Sequence, residues 1–266
     1  MPTSRYGSAD MANAARMLDV LDTAPTFTFA DVQGLNVRFA DVATTDMLAE
    51  LLTGELHGRI ALVSSFGSES AALLHMVAQI DKSVPIIFLN TQKLFGETLA
   101  YRDDLAERLG FTDLRVYRPD PHLLAARDAT GLRWSYDPDG CCDIRKVEPL
   151  RRALSGFDAW VSGRKGFQGE TRQKLPRFEE DEGRLKINPL ADWDKVRLDA
   201  YFAEHSLPVH PLIAQGYPSI GCAPCTSKVQ PGEDPRAGRW RGWDKVECGI
   251  HEPSVASDDP ANDPVF

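Results

Sequence analysis

The stretch R-I-A-L-V-S-S-F-G-S-E-S-A-A-L-L-H-M-V-A-Q-I, residues 59–80, determines which fold class the sequence predicts. Its first part, residues 59–65, is an apolar, β-branched run of the length of a strand. The small and polar residues 65–70 then predict a turn, and the apolar residues 71–80 predict a mostly buried helix. A strand that passes through a short turn into a helix is the first half of a β–α–β unit, so the stretch predicts a parallel sheet.

The alternation of strand and helix continues along the chain. Further strands are predicted over residues 84–90, 114–117 and 158–163, and helices over residues 9–20, 45–52, 97–109 and 143–154. Elements in this order predict an α/β fold, in which a parallel sheet with right-handed crossovers has helices on both faces. The chain becomes rich in loops after residue 208. We interpret residues 1–230 as one domain and residues 231–266 as a flexible C-terminal tail.

The overall composition excludes several classes of function. The chain of 266 residues has 42% hydrophobic residues and a formal net charge of −9. An acidic chain lacks the basic face that non-specific nucleic-acid binding needs. No apolar run approaches the roughly 20 residues that cross a bilayer, and the N-terminus has no segment of secretory type. We therefore expect a cytoplasmic protein that binds neither nucleic acid nor membranes.

Positive charge and polar strand ends point to a small anionic ligand. Residues 143–177 hold nine Lys or Arg and four Asp or Glu, which indicates either a solvated helix face or an anion pocket. The predicted strands end in polar or glycine-containing residues at 64–70, 88–93 and 161–165, where parallel sheets bind ligands. The turn 65–70 can offer backbone N–H groups to an anion, although its serines would also serve as ordinary helix caps. It matches neither common glycine-rich phosphate motif.

Four of the five cysteines form two close pairs, in C-C-D-I-R-K (141–146) and G-C-A-P-C (221–225). The odd number and the absence of a secretory segment argue against a disulfide framework. Two pairs of thiolates predict a metal centre. Adjacent cysteines on a helix point about 100° apart, which suits a cluster of several irons better than one tetrahedral ion. A structural zinc site and a redox disulfide stay open as alternatives.

The fifth cysteine, Cys248, lies in the C-terminal segment K-V-E-C-G-I-H, residues 245–251. A structural cysteine is normally buried among apolar residues. This one has the charged or polar neighbours Lys245, Glu247 and His251. The pattern predicts a thiol that reacts with a ligand or a partner.

These motifs resemble those of the assimilatory adenylyl-sulfate (APS) reductases, which belong with the phosphoadenylyl-sulfate (PAPS) reductases in one family. The resemblance covers about residues 45–251 and depends on S-F-G-S-E-S, C-C-x-x-R-K, C-x-x-C and E-C-G-I-H. It implies a fold like that of the adenine-nucleotide α-hydrolases. PAPS-specific members usually keep the terminal cysteine motif but lack the other four cysteines. This chain has both the terminal cysteine motif and the four paired cysteines, which implies the APS type.

The resemblance also implies a role for each motif. A [4Fe–4S] cluster would be held by Cys141, Cys142, Cys222 and Cys225, and Cys248 would be the nucleophile. The residues expected around the substrate are Ser65, Gly67 and Ser70 at the nucleotide, Lys146 between cluster and substrate, and Arg172, Arg236 and Arg239 at the phosphosulfate. The segment L-N-T-Q (89–92) departs from the L-D-T-G of many relatives, so the resemblance assigns no role to Asn90.

The activity that the resemblance implies is the reduction of APS to sulfite and AMP in sulfate assimilation. Cys248 would form an S-sulfocysteine, which thioredoxin or a similar dithiol would then attack. One alternative is a PAPS reductase of the same mechanism. The other is a non-enzymatic, nucleotide-binding iron–sulfur sensor, in which Cys248 would be incidental.

Overall fold

A computed structural model describes residues 26–169 and 172–251 of the chain. The helix predicted over residues 9–20 lies outside these residues, and so does the part of the predicted tail beyond residue 251. No helix within the described ranges is long and apolar enough to span a bilayer.

The described strands form one six-stranded sheet. They are β1 (Ile60–Val63), β2 (Ile86–Leu89), β3 (Leu114–Tyr117), β4 (Ala159–Val161), β5 (Phe178–Asp181) and β6 (Arg184–Ile187). The spatial order is β3-β2-β1-β4-β6-β5, and every neighbouring pair is parallel except the β5–β6 hairpin. The predicted parallel sheet and its first four strands are confirmed. The hairpin was not predicted.

Helices cover both faces of this sheet. They are α1 (Phe29–Arg38), α2 (Thr44–Thr53), α3 (Ser70–Ile80), α4 (Gly96–Leu109), α5 (Pro121–Arg127), α6 (Pro138–Cys142), α7 (Glu148–Ala153) and α8 (Lys195–Glu204). The sequence did not predict α1 or α8. Gly110 ends α4 in the left-handed conformation, as its position after the predicted helix indicated.

The predicted helix over residues 143–154 needs a correction. Helical backbone already begins at Pro138, because the Asp137 carboxylate accepts a hydrogen bond from the N–H of Gly140 at 2.8 Å and caps the first turn. A π-helical turn, Asp143–Val147, then joins α6 to α7. Both adjacent cysteines therefore lie on α6, directly before the π turn. Such turns are rare and are often found at functional sites.

Strand β1 connects the two halves of the core because its side chains alternate between the faces of the sheet. Ile60 and Leu62 belong to the larger apolar cluster, which α2, α3 and α4 cover. Ala61 and Val63 belong to a smaller cluster on the opposite face, where they pack with Leu150 of α7. All four residues of the strand are buried, as expected for a central parallel strand.

The strand order places a topological switch point at β1. The chain leaves β1 towards β2 on one side and reaches β4 on the other, so β1 lies between them. In open α/β sheets, a crevice forms beyond the carboxyl ends of the strands at such a point. The loops that begin at Ser64, Asn90 and Ser162 all start at this edge.

A buried ion pair fixes the cysteine-bearing helix against this edge. Arg145, in the π turn, contacts Asp128 with 2.5 Å between Nη2 and Oδ2, and it donates a hydrogen bond to the carbonyl of Thr91 at 3.0 Å. The side chains of Arg145 and Asp128 are 5% and 0% exposed. Asp128 also accepts a hydrogen bond from the N–H of Arg133 at 2.9 Å. The pair therefore joins the loop after β2, the loop after α5 and the π turn.

We expect Asp128→Asn to lower the free energy of unfolding by about 3–5 kcal/mol, because it leaves the Arg145 guanidinium buried without a counter-charge. Urea-induced unfolding followed by circular dichroism measures the change. Asp104→Asn, at an exposed position of α4, is the control and should change stability by no more than about 0.5 kcal/mol. Equal stabilities for the two variants would contradict this account of the ion pair.

Candidate active site

A large pocket opens at the edge of the sheet where β1, β2 and β4 end. It encloses about 1340 Å³ of space, counting the part open to solvent. Its lining includes every residue that the sequence assigned to the substrate or to nucleophilic attack: Ser65, Gly67, Ser70, Lys146, Arg172, Arg236, Arg239 and Cys248. The structure thus brings these residues together, and their individual roles stay predictions.

The turn between β1 and α3 forms the floor of the pocket. Glu69 precedes the first residue of α3, and its side chain makes no capping hydrogen bond. The Ser70 hydroxyl instead donates to the carbonyl of Gly67 at 2.6 Å. The serine therefore does not cap the helix, which was the alternative interpretation of this turn. The uncapped start of α3 is a site at which backbone N–H groups can bind an anion.

Basic residues from the loop after β4 form one wall, and carboxylates of the same domain neutralise them. Arg164 forms an ion pair with Glu179 of β5. The Lys165 ammonium lies 3.3 Å from a carboxylate oxygen of Glu69. Both cations are at least nine-tenths buried. The positive charge that the sequence showed at residues 143–177 therefore belongs in part to a pocket and not to a solvated helix face.

Two buried side-chain nitrogens of residues that line the pocket have no hydrogen-bond partner among the described residues: Nε of Arg239 and Nδ1 of His251. The Arg239 guanidinium lies over the backbone of Gly221, where any side chain would collide with it. The His251 ring stacks on Trp160 with 6.2 Å between ring centroids. Burial, together with nearby cations such as Lys186, holds the pKa of His251 well below its usual value, so the ring is neutral. Unpaired buried groups of this kind are available to hydrogen-bond a ligand.

Cys248 lies inside the same pocket. Its sulfur is 3.4 Å from the ammonium of Lys146, and the following Gly249 packs against Cys142 and Val147. A hydrogen bond from the Cys142 thiol and the charges of Lys146 and Arg239 hold the pKa of Cys248 well below its usual value. Burial alone would lower the pKa of Lys146, but the neighbouring cysteines outweigh burial and raise it. The contact therefore places an ammonium beside a sulfur whose ionised form it stabilises.

The four paired cysteines line a second, smaller cavity next to the pocket. Its lining contains Cys141, Cys142, Cys222 and Cys225. Lys146 lines both cavities and so lies between them. Arg145 lines the smaller one, and its Nε is buried without a hydrogen-bond partner in the described part of the chain. Within the same residues, no three His, Cys, Asp or Glu side chains form a group that could hold a single metal ion.

The loop after β2 contacts the second cysteine pair directly, and it contacts the π turn after the first pair through the hydrogen bond from Arg145 to Thr91. Residue Leu94 of this loop forms an antiparallel bridge with Cys222, and the N–H of Ala223 donates to the carbonyl of Lys93 at 2.7 Å. The Thr91 hydroxyl is 3.2 Å from the sulfur of Cys222. Thr91 was not among the predicted site residues. It lies in L-N-T-Q (89–92), the segment that differs from the L-D-T-G of many relatives, and no sequence pattern singled it out.

Glu247 is a second site residue whose contacts the sequence did not reveal. Both carboxylate oxygens accept hydrogen bonds from Arg172, each at 2.6 Å, and Arg236 Nη2 lies 3.6 Å from Oε1. Burial alone would raise the pKa of Glu247, but the hydrogen bonds and charge of Arg172 hold it below the usual value. Burial and the charge of Arg172 lower the pKa of Arg236 to about 10. The motif E-C-G-I-H contains Glu247, but its partner is 75 residues away in the chain.

The C-terminal segment covers the pocket in this structure. Residues 231–251 contain only a short helical turn, Gly249–His251, among their described elements. Trp240 is nevertheless 3% exposed, and Lys245 forms an ion pair with Asp139 of α6. The segment predicted as a tail therefore lies against the domain up to residue 251. Its predicted flexibility stays a prediction.

Comparisons with known proteins agree with this geometry. The phosphoadenosine phosphosulfate reductase domain family matches residues 59–228. An adenosine 5′-phosphosulfate reductase of Mesorhizobium japonicum is 47% identical over 236 residues, which are 89% of this chain and 93% of the relative. A phosphoadenosine 5′-phosphosulfate reductase of Gloeobacter violaceus is 40% identical over 219 residues, 80% of this chain and 90% of the relative.

A solved structure shares the fold as well. The crystal structure of the PAPS reductase from Candida auris, a phosphate complex, superposes with a TM-score of 0.64 at 27% sequence identity. The match covers 78% of this chain and 100% of that one. Family match, sequence identity and fold lead to the same conclusion. The chain belongs to the phosphoadenosine phosphosulfate reductase domain family.

Proposed function

We propose that the protein is a cytoplasmic, thioredoxin-dependent adenylyl-sulfate reductase, which converts APS to sulfite and AMP. The observation that carries the proposal is the position of Cys248. Its sulfur lies 3.4 Å from Lys146 in a pocket that is also lined by Arg172, Arg236 and Arg239. A nucleophilic thiol among groups that bind phosphate and sulfate suits attack on a phosphosulfate.

The reaction proceeds as two displacements at sulfur. In the first, the Cys248 thiolate attacks the sulfur of APS, an S–S bond forms, and the bond from sulfur to the bridging oxygen breaks. AMP leaves with that oxygen, and Cys248 carries an SO₃⁻ group. Lys146 and the arginines stabilise the negative charge that the leaving phosphate gains. Splitting the reduction in this way is the usual advantage of covalent catalysis.

The second displacement supplies the two electrons. A thiolate of reduced thioredoxin, or of a similar dithiol, attacks the Cys248 sulfur and expels sulfite. The second thiol of the donor then resolves the mixed disulfide, so the donor leaves as a disulfide and Cys248 is again a thiolate. Since Cys248 lies in the C-terminal segment, the same sulfur can meet first a pocket and then a protein partner.

The four paired cysteines fit a [4Fe–4S] cluster. The four residues line one cavity together with Arg145, whose buried Nε has no hydrogen-bond partner among the described residues and could donate to an anionic group. Cys141, Cys142, Cys222 and Cys225 would hold the cluster, and when bound it would supply a fixed charge next to Lys146. In the proposal the cluster has a structural and electrostatic role and is not oxidised or reduced during turnover.

A PAPS reductase of the same mechanism is the second candidate, because the relative from Gloeobacter violaceus has that name at 40% identity. We favour APS because the chain has both the four paired cysteines and E-C-G-I-H. The sensor alternative is less well supported. In a sensor of this kind, the contact between Cys248 and Lys146 would have no function.

Turnover with APS and PAPS, measured side by side with reduced thioredoxin, tests the substrate assignment. We expect the rates of sulfite formation to give a higher kcat/KM for APS than for PAPS. A 3′-phosphate that raises kcat/KM would assign the protein to the PAPS type. Nucleotide binding with no sulfite from either substrate would favour the sensor.

Metal analysis of anaerobically purified protein tests the cluster. We expect about four irons and four sulfides per chain and a brown colour. Cys222→Ala should lose the iron, whereas Cys248→Ser should keep it, because Cys248 lies outside both cysteine pairs. Colourless wild-type protein with one zinc per chain would show that the alternative zinc site is correct.

A further inference from the structure

The carboxylate of Glu247 occupies Arg172, one of the residues that are proposed to bind the phosphosulfate. Its carboxylate accepts from Arg172 Nε and Nη2 at 2.6 Å each, in the forked geometry that a guanidinium also makes with phosphate or sulfate. The third nitrogen of Arg172, Nη1, donates to the side chain of Gln168 at 2.5 Å. Three of the five N–H donors of Arg172 thus have a protein partner, and the fork formed by Nε and Nη2 is occupied by Glu247. A substrate oxygen can take the fork only if Glu247 leaves it.

The position of Glu247 in the chain distinguishes it from the other carboxylates at the pocket. Glu69 and Glu179, which neutralise Lys165 and Arg164, belong to the turn after β1 and to β5. Glu247 belongs to the C-terminal segment that covers the pocket. The first two carboxylates belong to the sheet and to one of its turns, whereas Glu247 belongs to a segment with only one short helical turn among its described elements.

Glu247 also holds the backbone of the nucleophile. The N–H of Cys248 donates to Oε1 of Glu247 at 2.9 Å, and this oxygen is the one that Arg172 Nη2 contacts. One carboxylate oxygen therefore links the anion-binding arginine to the peptide group of Cys248. If the carboxylate leaves Arg172, the hydrogen bond that orients this peptide group changes with it.

We infer that Glu247 is a positioning residue that exchanges with the substrate. Without substrate, its carboxylate neutralises Arg172 and Arg236. When the phosphosulfate binds, its oxygens take over these guanidinium groups, Glu247 withdraws, and the Cys248 thiol turns towards the substrate sulfur. The inference rests on the proposed function, because it takes Arg172 and Arg236 as ligands of the phosphosulfate.

The test is the affinity for APS in a Cys248→Ser background, where no adduct can form, measured by titration calorimetry. Glu247→Gln removes the competing charge, so APS should bind about tenfold more tightly or better. Adenosine, which has no anionic group, should bind with unchanged affinity. Glu233→Gln is the matched control, since Glu233 pairs with Arg241 in the same segment at an exposed position. It should leave both affinities unchanged.

The outcomes separate this inference from the function on which it rests. A purely structural role for Glu247 predicts weaker APS binding in Glu247→Gln, and equal or weaker binding by the folded variant would overturn the inference while the proposed function stands. If the parent protein does not bind APS, both fail together. Glu247→Asp is a second variant in case the first does not fold. Its shorter side chain cannot keep the fork, so unchanged APS affinity in this variant would also overturn the inference.

Discussion

Burial of positive charge beyond the ends of β1, β2 and β4 is the constraint on which the rest of this structure depends. Arg145, Arg164, Lys165 and Arg172 are each less than 9% exposed. A buried cation without a partner costs several kcal/mol, so each needs a carboxylate, a hydrogen-bond acceptor or a ligand. Carboxylates of the domain neutralise Arg145, Arg164 and Lys165. A carboxylate of the C-terminal segment, Glu247, neutralises Arg172. Arg239 Nε and His251 Nδ1 are buried without a partner among the described residues, and in the proposed function both are available to the substrate.

Lys146 connects the two halves of the site. It lines the pocket and the four-cysteine cavity, so its charge acts on both. Lys146 belongs to the π turn Asp143–Val147. Arg145, the preceding residue, anchors the turn to Asp128 and Thr91. Helix α6 and the π turn thus hold one cysteine pair and Lys146, whereas the nucleophile comes from a segment with only one short helical turn among its described elements.

The sequence was informative where a local pattern sufficed. Buried strands such as β1 are continuous apolar runs, and the cysteine motifs are short, so both could be recognised directly. The β5–β6 hairpin was missed because F-E-E-D and R-L-K-I mix charged with apolar residues at a sheet edge. Its turn residues, Glu182 and Gly183, have φ of 52° and 78°, and Glu-Gly is a weaker turn signal than Asn-Gly or Asp-Gly. Contacts such as Arg172–Glu247 depend on how distant segments pack, and no local pattern encodes them.

The central claim is that the Cys248 sulfur accepts the SO₃ group of APS, and a mass measurement tests it most directly. The wild-type protein is incubated with APS in the absence of any dithiol, digested and analysed by mass spectrometry. The account predicts that only the peptide containing Cys248 gains the mass of one SO₃ group, and that reduced thioredoxin removes this mass and releases sulfite. An adduct on Cys141, Cys142, Cys222 or Cys225, or sulfite production by a Cys248→Ser variant, would contradict it.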